Sequence, residues 1–140
     1  FGSIQIFQYL LLNQVELNPS LWNFSIHGKN AQIIHLLEEN HVYPNSFIEC
    51  LNLSIKCHHN DIANYIKDNM MNSNESIEKE CFLNGIIHHN YSFFKNTLQD
   101  IIQYLGNLQE FFYLACKYDY FTIVTLLVQF KDVDINKIMI

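Results

Sequence analysis

The feature that most restricts what this chain can fold into is an internal repeat of about 30 residues. Displacing "SIHGKNAQIIHLLEEN" (Ser25 to Asn40) by 29 positions lays it on "SIKCHHNDIANYIKDN" (Ser54 to Asn69) without a gap. Ser25 then meets Ser54, Ile26 meets Ile55, Ile33 meets Ile62, Leu37 meets Ile66 and Asn40 meets Asn69. Identities are few, but the apolar anchors persist. A displacement of 90 reaches "ACKYDYFTIVTLLVQF", one of 27 backwards reaches "GSIQIFQYLLLN", and one of 60 forwards reaches the weakest copy, "GIIHHNYSFFKN". The anchors Ile6, Ile33, Ile62, Phe93 and Ile123 are thus spaced by 27, 29, 31 and 30 residues. Such a period accommodates two short antiparallel helices and a connection.

The pattern inside each unit agrees with that reading. In "NAQIIHLLEEN" the apolar Ile33, Ile34, Leu36 and Leu37 cover one broad helical face, with Gln32, His35 and Glu39 elsewhere. Upstream of each such helix lies another, in "SLWNFSIH", "SFIECLNLSIKC", "SIEKECFLNGII" and "NLQEFFYLACK". Ser46 with Glu49, and Asn107 with Glu110, have capping-box spacing. Asn30, Asn60 and Asn90 stand where the second helices should begin, and Asn is a preferred N-cap. Helices of about 10 residues are marginal alone in water, so these must stack and bury Leu, Ile and Phe between them.

"GSIQIFQYLLLNQVELN" and "FFYLACKYDYFTIVTLLVQFKDVDIN" resemble ankyrin repeats, with an alanine-containing first helix, a tight turn, an "IV.LL" second helix and a "DVDIN" return. The resemblance implies an all-α, ankyrin-type solenoid of stacked antiparallel helix pairs. A single array of about four and a half repeats would fill residues 1–140, roughly 1–18 (half), 19–45, 46–74, 75–106 and 107–140. The usual period is about 33 residues, whereas here Asn18, Pro19 and Ser20 pass directly into the next helix, which shortens the projecting fingers. The Thr-Pro-Leu-His signature is absent, with "PSLWN" nearest to it. These departures resemble the divergent short-finger ankyrin proteins of protists. "NMMNSNES" reads as a polar loop between units.

Composition removes several function classes. Formal charge is −6, and the eight Lys and Arg are scattered singly, without the basic stripe that nucleic acid binding needs. "IFQYLLL" and "FTIVTLLVQF" stop well short of the roughly 18 apolar residues of a membrane span. Cys50, Cys57, Cys81 and Cys116 form no CxxC and lie in helical, apolar patterns, as small buried hydrophobes of a reduced compartment would. The expected location is intracellular, in the cytoplasm. An opening at Phe1 and an apolar run ending at Ile140 read as a segment of a longer protein.

The chemical residues cluster in "CHH". Cys57, His58 and His59, with His88 and His89 one unit on, could form a zinc site if stacked loops approach within about 10 Å. The register favours another reading. His58 aligns with Lys29, His89 and Asp119, and His59 with Asn30, Asn90 and Tyr120, which are turn and cap positions. A Cys57 nucleophile would need a depressed thiol pKa and an orienting third group. Asp61 reads as a first-turn acid. Trp22 reads as core in preference to a binding anchor. The acid pairs Glu38 and Glu39, and Asp132 and Asp134, need only solvent. No Gly-rich phosphate loop, GxSxG, HExxH or EF-hand pattern occurs.

The function that this reading implies is a protein-protein interaction module, not an enzyme, with no cofactor, metal or small-molecule substrate. The resemblance implies binding along the concave helix and finger face. The shortened fingers shift that task to outward positions on the first helices, namely Asn23, His27, Asn52, Lys56, Lys117 and Tyr118. The rival readings are a structural spacer within a longer solenoid and, behind it, a zinc-binding module or enzyme.

Overall fold

Short helices hold together only if their end groups find partners and one face is buried. In the computed structural model, which describes residues 3–72, 75–95, 98, 108–130 and 133–135, every described residue of regular structure is helical. The helices are α1 (Ile4–Leu12), α2 (Leu21–His27), α3 (Ala31–Glu39), α4 (Phe47–Lys56), α5 (Asn60–Met70), α6 (Glu75–Ile87), α7 (Tyr91–Phe94), α8 (Leu108–Lys117) and α9 (Phe121–Leu127). Contacts divide the chain into two compact units, Phe1–Asn72 and Ser73–Ile140. The boundary falls inside "NMMNSNES".

The helix ends carry the repeat in their backbone. Among the described residues other than glycine, Gln14, Lys29, His41, His58, His89 and Asp119 have positive φ, between 50° and 58°. Each closes a helix in the same way. Lys29 N–H donates to the Ile26 carbonyl at 2.9 Å and Asn30 N–H to the Ser25 carbonyl at 2.8 Å, the paired bonds of a Schellman motif. The same pair recurs after α1, α3, α4, α6 and α8, ending with Asp119 on Cys116 and Tyr120 on Ala115. Glycine is the usual residue there because an L side chain in left-handed backbone costs about 1–2 kcal/mol. Replacing Gln14, His41 or Asp119, all exposed, by glycine is therefore expected to raise stability by up to about 1 kcal/mol each, part of the gain being lost to the more flexible unfolded chain. Chemical denaturation of the three single variants would check this, and a loss at all three would contradict it.

This motif also decides where the second helices begin. Its final residue becomes the N-cap of the next helix, so the caps are Asn30, His59, Asn90 and Tyr120. Asn60 is accordingly the first residue of α5 and not its cap, as the asparagine pattern had suggested. Asn30 behaves as expected, its Oδ1 accepting from Ile33 N–H at 3.1 Å. Ser3 does the same for α1 one register step earlier, from Ile6 N–H. Ser46 Oγ accepts from Glu49 N–H at 3.3 Å, one arm of the anticipated capping box. The Asn107 half of the other box lies outside the described residues, as do Asp132 and part of the weakest copy.

Packing follows from a small residue near the end of each first helix. In the first unit α2 lies against α3 and α4, α4 against α5, and α1 against α3. In the second, α6 lies against α7 and α8, and α8 against α9. Trp22, Leu51, Phe82 and Phe112 are each followed three residues later by Ser25, Ser54, Gly85 and Ala115, and all eight are buried. The two buried hydroxyls are satisfied along their own helices, Ser25 Oγ donating to the Leu21 carbonyl at 2.7 Å and Ser54 Oγ to the Cys50 carbonyl at 2.8 Å. At Gly85 a Cβ would overlap the Phe94 ring. That ring closes the second core, and the apolar anchor expected at Phe93 is displaced by one residue: Phe94 is buried and Phe93 half-buried.

Candidate functional site

The outward face of the first unit is built by α2 and α4 lying side by side. Asn23 and His27 are one turn apart on α2, and Asn52 and Lys56 occupy the same register on α4. Asn23, His27 and Lys56 are exposed and Asn52 is half-buried. Two cross-helix contacts join the rows. Cys50 Sγ donates weakly to Asn23 Oδ1 at 3.9 Å, and Cys57 Sγ lies 3.6 Å from His27 Nδ1. In the second unit Lys117 ends α8 at the register of His27 and Lys56 and is exposed, and Tyr118 follows it at the register of Gly28 and Cys57 and is half-buried. Lys117 Nζ lies 5.7 Å from the Tyr118 ring centroid, which orders the two as a cation–π pair. Four of the six expected residues therefore share one face of one unit, and two belong to the other unit.

The "CHH" stretch resolves into three separate roles. Cys57 ends α4 and faces His27, His58 carries the left-handed turn, and His59 is the cap position of α5. His89 holds the turn of the second unit and stacks on Tyr120, with ring centroids 4.6 Å apart. Among the described residues no group of three or more His, Cys, Asp or Glu side chains is arranged to hold a metal ion. The cysteines depart from the uniform burial expected of them. Cys50 and Cys81 are buried, Cys57, which caps the end of α4, is half-buried, and Cys116 is exposed. Burial pushes the Cys50 thiol up to about 11, with the Glu49 carboxylate adding to the shift, so this thiol is a poor nucleophile.

Two features went unseen in the sequence. Glu38 was expected to need only solvent, yet its carboxylate is largely enclosed and joins α3 to α5. Glu38 Oε2 accepts from Tyr65 Oη at 2.8 Å and lies 3.1 Å from His35 Nδ1, while the His35 and Tyr65 rings meet edge to face at 5.0 Å. Burial and the hydrogen bond to Glu38 both push the Tyr65 phenol up. The clue was slight: Tyr65 stands where the register puts Leu36. The second feature is Phe24, an aromatic ring 51% exposed on α2 beside the predicted binding row.

No helix among the described residues is long and apolar enough to cross a membrane. Compared with protein-family models, curated proteins and solved structures, the chain matches none.

Proposed function

We propose that this chain is an ankyrin-type protein-interaction module that binds a protein partner by presenting a rigid surface, without chemistry. The observation that carries the reading is the equal register of Asn23 and His27 on α2 with Asn52 and Lys56 on α4, since the two helices pack directly against each other. The helix pairs repeat one connection geometry, and rigid repetition of that kind suits an extended contact surface. In the second unit, taken by itself, Lys117 and Tyr118 are the residues proposed to bind. Free Cys50, Cys57, Cys81 and Cys116 fit a reducing, intracellular compartment, with the cytoplasm as the proposed location.

Lys56 and Lys117 are exposed and Tyr118 lies half-buried beyond the end of α8, so their removal should touch binding more than the fold. The variant carrying Lys56→Ala, Lys117→Ala and Tyr118→Ala is expected to keep its thermal unfolding profile and lose its partner in quantitative affinity capture, by about tenfold or more if one of the three is a binding hot spot. Equal recovery by parent and variant would overturn the assignment of this face.

A further inference from the structure

Where α3 and α5 meet, the first unit departs from its own repeat. His35, Glu38, Asp61 and Tyr65 stand there, whereas at the neighbouring α1–α3 step the displacements of 27 and 29 put Gln8, Leu11, Gln32 and Leu36 in their places. Packing of second helices therefore does not call for the two carboxylates and two rings. Between the helices, Ala31, Ile34, His35, Asp61, Ile62 and Tyr65 line a cleft of about 190 Å³. Ile34 and Ile62 are buried and make its floor apolar, and the His35 and Tyr65 rings, set edge to face, form a wall. Asp61, in the first turn of α5, adds an exposed carboxylate. Lys29 holds that carboxylate loosely, with Nζ 4.0 Å from Oδ1 and both side chains more than half exposed, and a pair of that kind is worth little. Both rings lead to Glu38. Its Oε2 accepts from Tyr65 Oη and meets His35 Nδ1, while Oε1 is buried and has no hydrogen-bond partner among the described residues. Buried carboxylate oxygens are rarely left so, and enclosure strengthens the pull of this one on a nearby cation.

We infer that the α3–α5 cleft is a binding site for a guanidinium group on an apolar stem, the chemistry of an arginine side chain and of a free alkylguanidine. The stem lies over Ile34 and Ile62, the planar cation stacks against the Tyr65 and His35 rings, and its paired N–H groups donate to the Asp61 carboxylate in place of Lys29. The other small ligands fit less well. An anion would face two carboxylates. A divalent metal lacks a third ligand, since no group of three or more His, Cys, Asp or Glu among the described residues is arranged to hold one. An ammonium is compact and strongly hydrated, and it offers neither the flat face nor the fork that the rings and Asp61 select. The chain's own eight cationic side chains are all lysines, so none of these 140 residues supplies a guanidinium. This site lies on the second helices, apart from the α2–α4 row, and does not depend on the function assigned to that row.

The test titrates the 140-residue chain with butylguanidinium chloride and follows backbone amide resonances by NMR. Saturable shifts are expected at the cleft residues, with a Kd of roughly 1 mM, as suits one small cation, and severalfold more salt should weaken them. Butylurea, of the same shape without the charge, should not bind, and butylammonium should bind severalfold more weakly. Asp61→Asn removes an exposed charge, and Glu38→Gln removes the enclosed charge while leaving an oxygen for the Tyr65 hydroxyl. Each should weaken uptake by about fivefold, the upper worth of one exposed ion pair, with thermal unfolding near that of the parent for Asp61→Asn. Lys29→Gln frees Asp61 and should tighten uptake. The Lys56→Ala, Lys117→Ala and Tyr118→Ala variant should bind the probe normally, separating this cleft from the face proposed above. A second titration with acetyl-Gly-Arg-Gly-amide distinguishes the sources: tighter binding than butylguanidinium assigns the site to an arginine of a polypeptide, and weaker binding to a free small molecule. Absence of saturable shifts at the cleft would overturn the inference. So would equal uptake of butylurea or butylammonium, or an affinity that neither Asp61→Asn nor Glu38→Gln changes.

Discussion

Replacing Trp22 by alanine is expected to lower the stability of the first unit by about 3–5 kcal/mol, the range for removing a large aromatic side chain from a packed core. Trp22 is fully buried on α2, its ring meets Phe47 edge to face with centroids 5.7 Å apart, and its indole N–H donates to the Val42 carbonyl at 2.8 Å. Val42 in turn closes the Schellman turn of α3 through its N–H to Leu37. One side chain therefore fixes both the contact between α2 and α4 and the path of the chain between α3 and α4. Trp22→Phe separates these contributions. It keeps most of the apolar volume and leaves the Val42 carbonyl without the indole donor, at a cost of about 1–3 kcal/mol. Urea denaturation followed by helical circular dichroism would measure both. A loss below about 1 kcal/mol for Trp22→Ala would contradict the packing role, since core truncations of this size do not come so cheaply.

Phe82→Ala is expected to be of similar severity in the second unit, about 3–5 kcal/mol. Phe82 is fully buried on α6 between two edge-to-face partners, Phe94 at 4.9 Å and Phe111 at 4.7 Å between centroids. Those rings belong to α7 and α8, so the deletion would unseat both helices at once. The four residues of α7 make it the weaker of the two, because a single turn has almost no helical stability of its own. Phe82→Leu keeps a branched apolar group in the space and should recover part of the loss. Helical signal and amide hydrogen exchange at Tyr91 to Phe94 would report it. Protection there that survives Phe82→Ala would show that α7 is held by something other than this aromatic cluster.

Helix positions were legible in the sequence because the apolar anchors of the second helices recur at about 30 residues and another helical pattern precedes each of them. Ile33, Ile62 and Ile123 are buried where the register placed them. The turn position of His58 was legible for the same reason, since Lys29, His89 and Asp119 align with it and share its left-handed backbone. The cap of α5 was misread at Asn60 because side-chain preference was weighed without the backbone bonds that end the preceding helix. Glu38 was misread because nothing local reveals a tyrosine on the next second helix. In the "CHH" stretch the turn and cap places were legible, but the approach of Cys57 to His27, a residue 30 positions away, was not.

By itself the sequence determined the repeat length, the all-helical character, the alternation of first and second helices and the buried anchors Ile33, Ile62 and Ile123. Apolar periodicity and cap residues act locally and leave a readable pattern. Only the tertiary structure decided which cysteines are exposed, that Glu38 is shared by His35 and Tyr65, and that Ile6 and Leu10 are exposed while Ile33 and Leu37, their repeats, are buried. Those outcomes depend on what lies against each residue from another helix, and the residue's own neighbours in the chain carry no record of it.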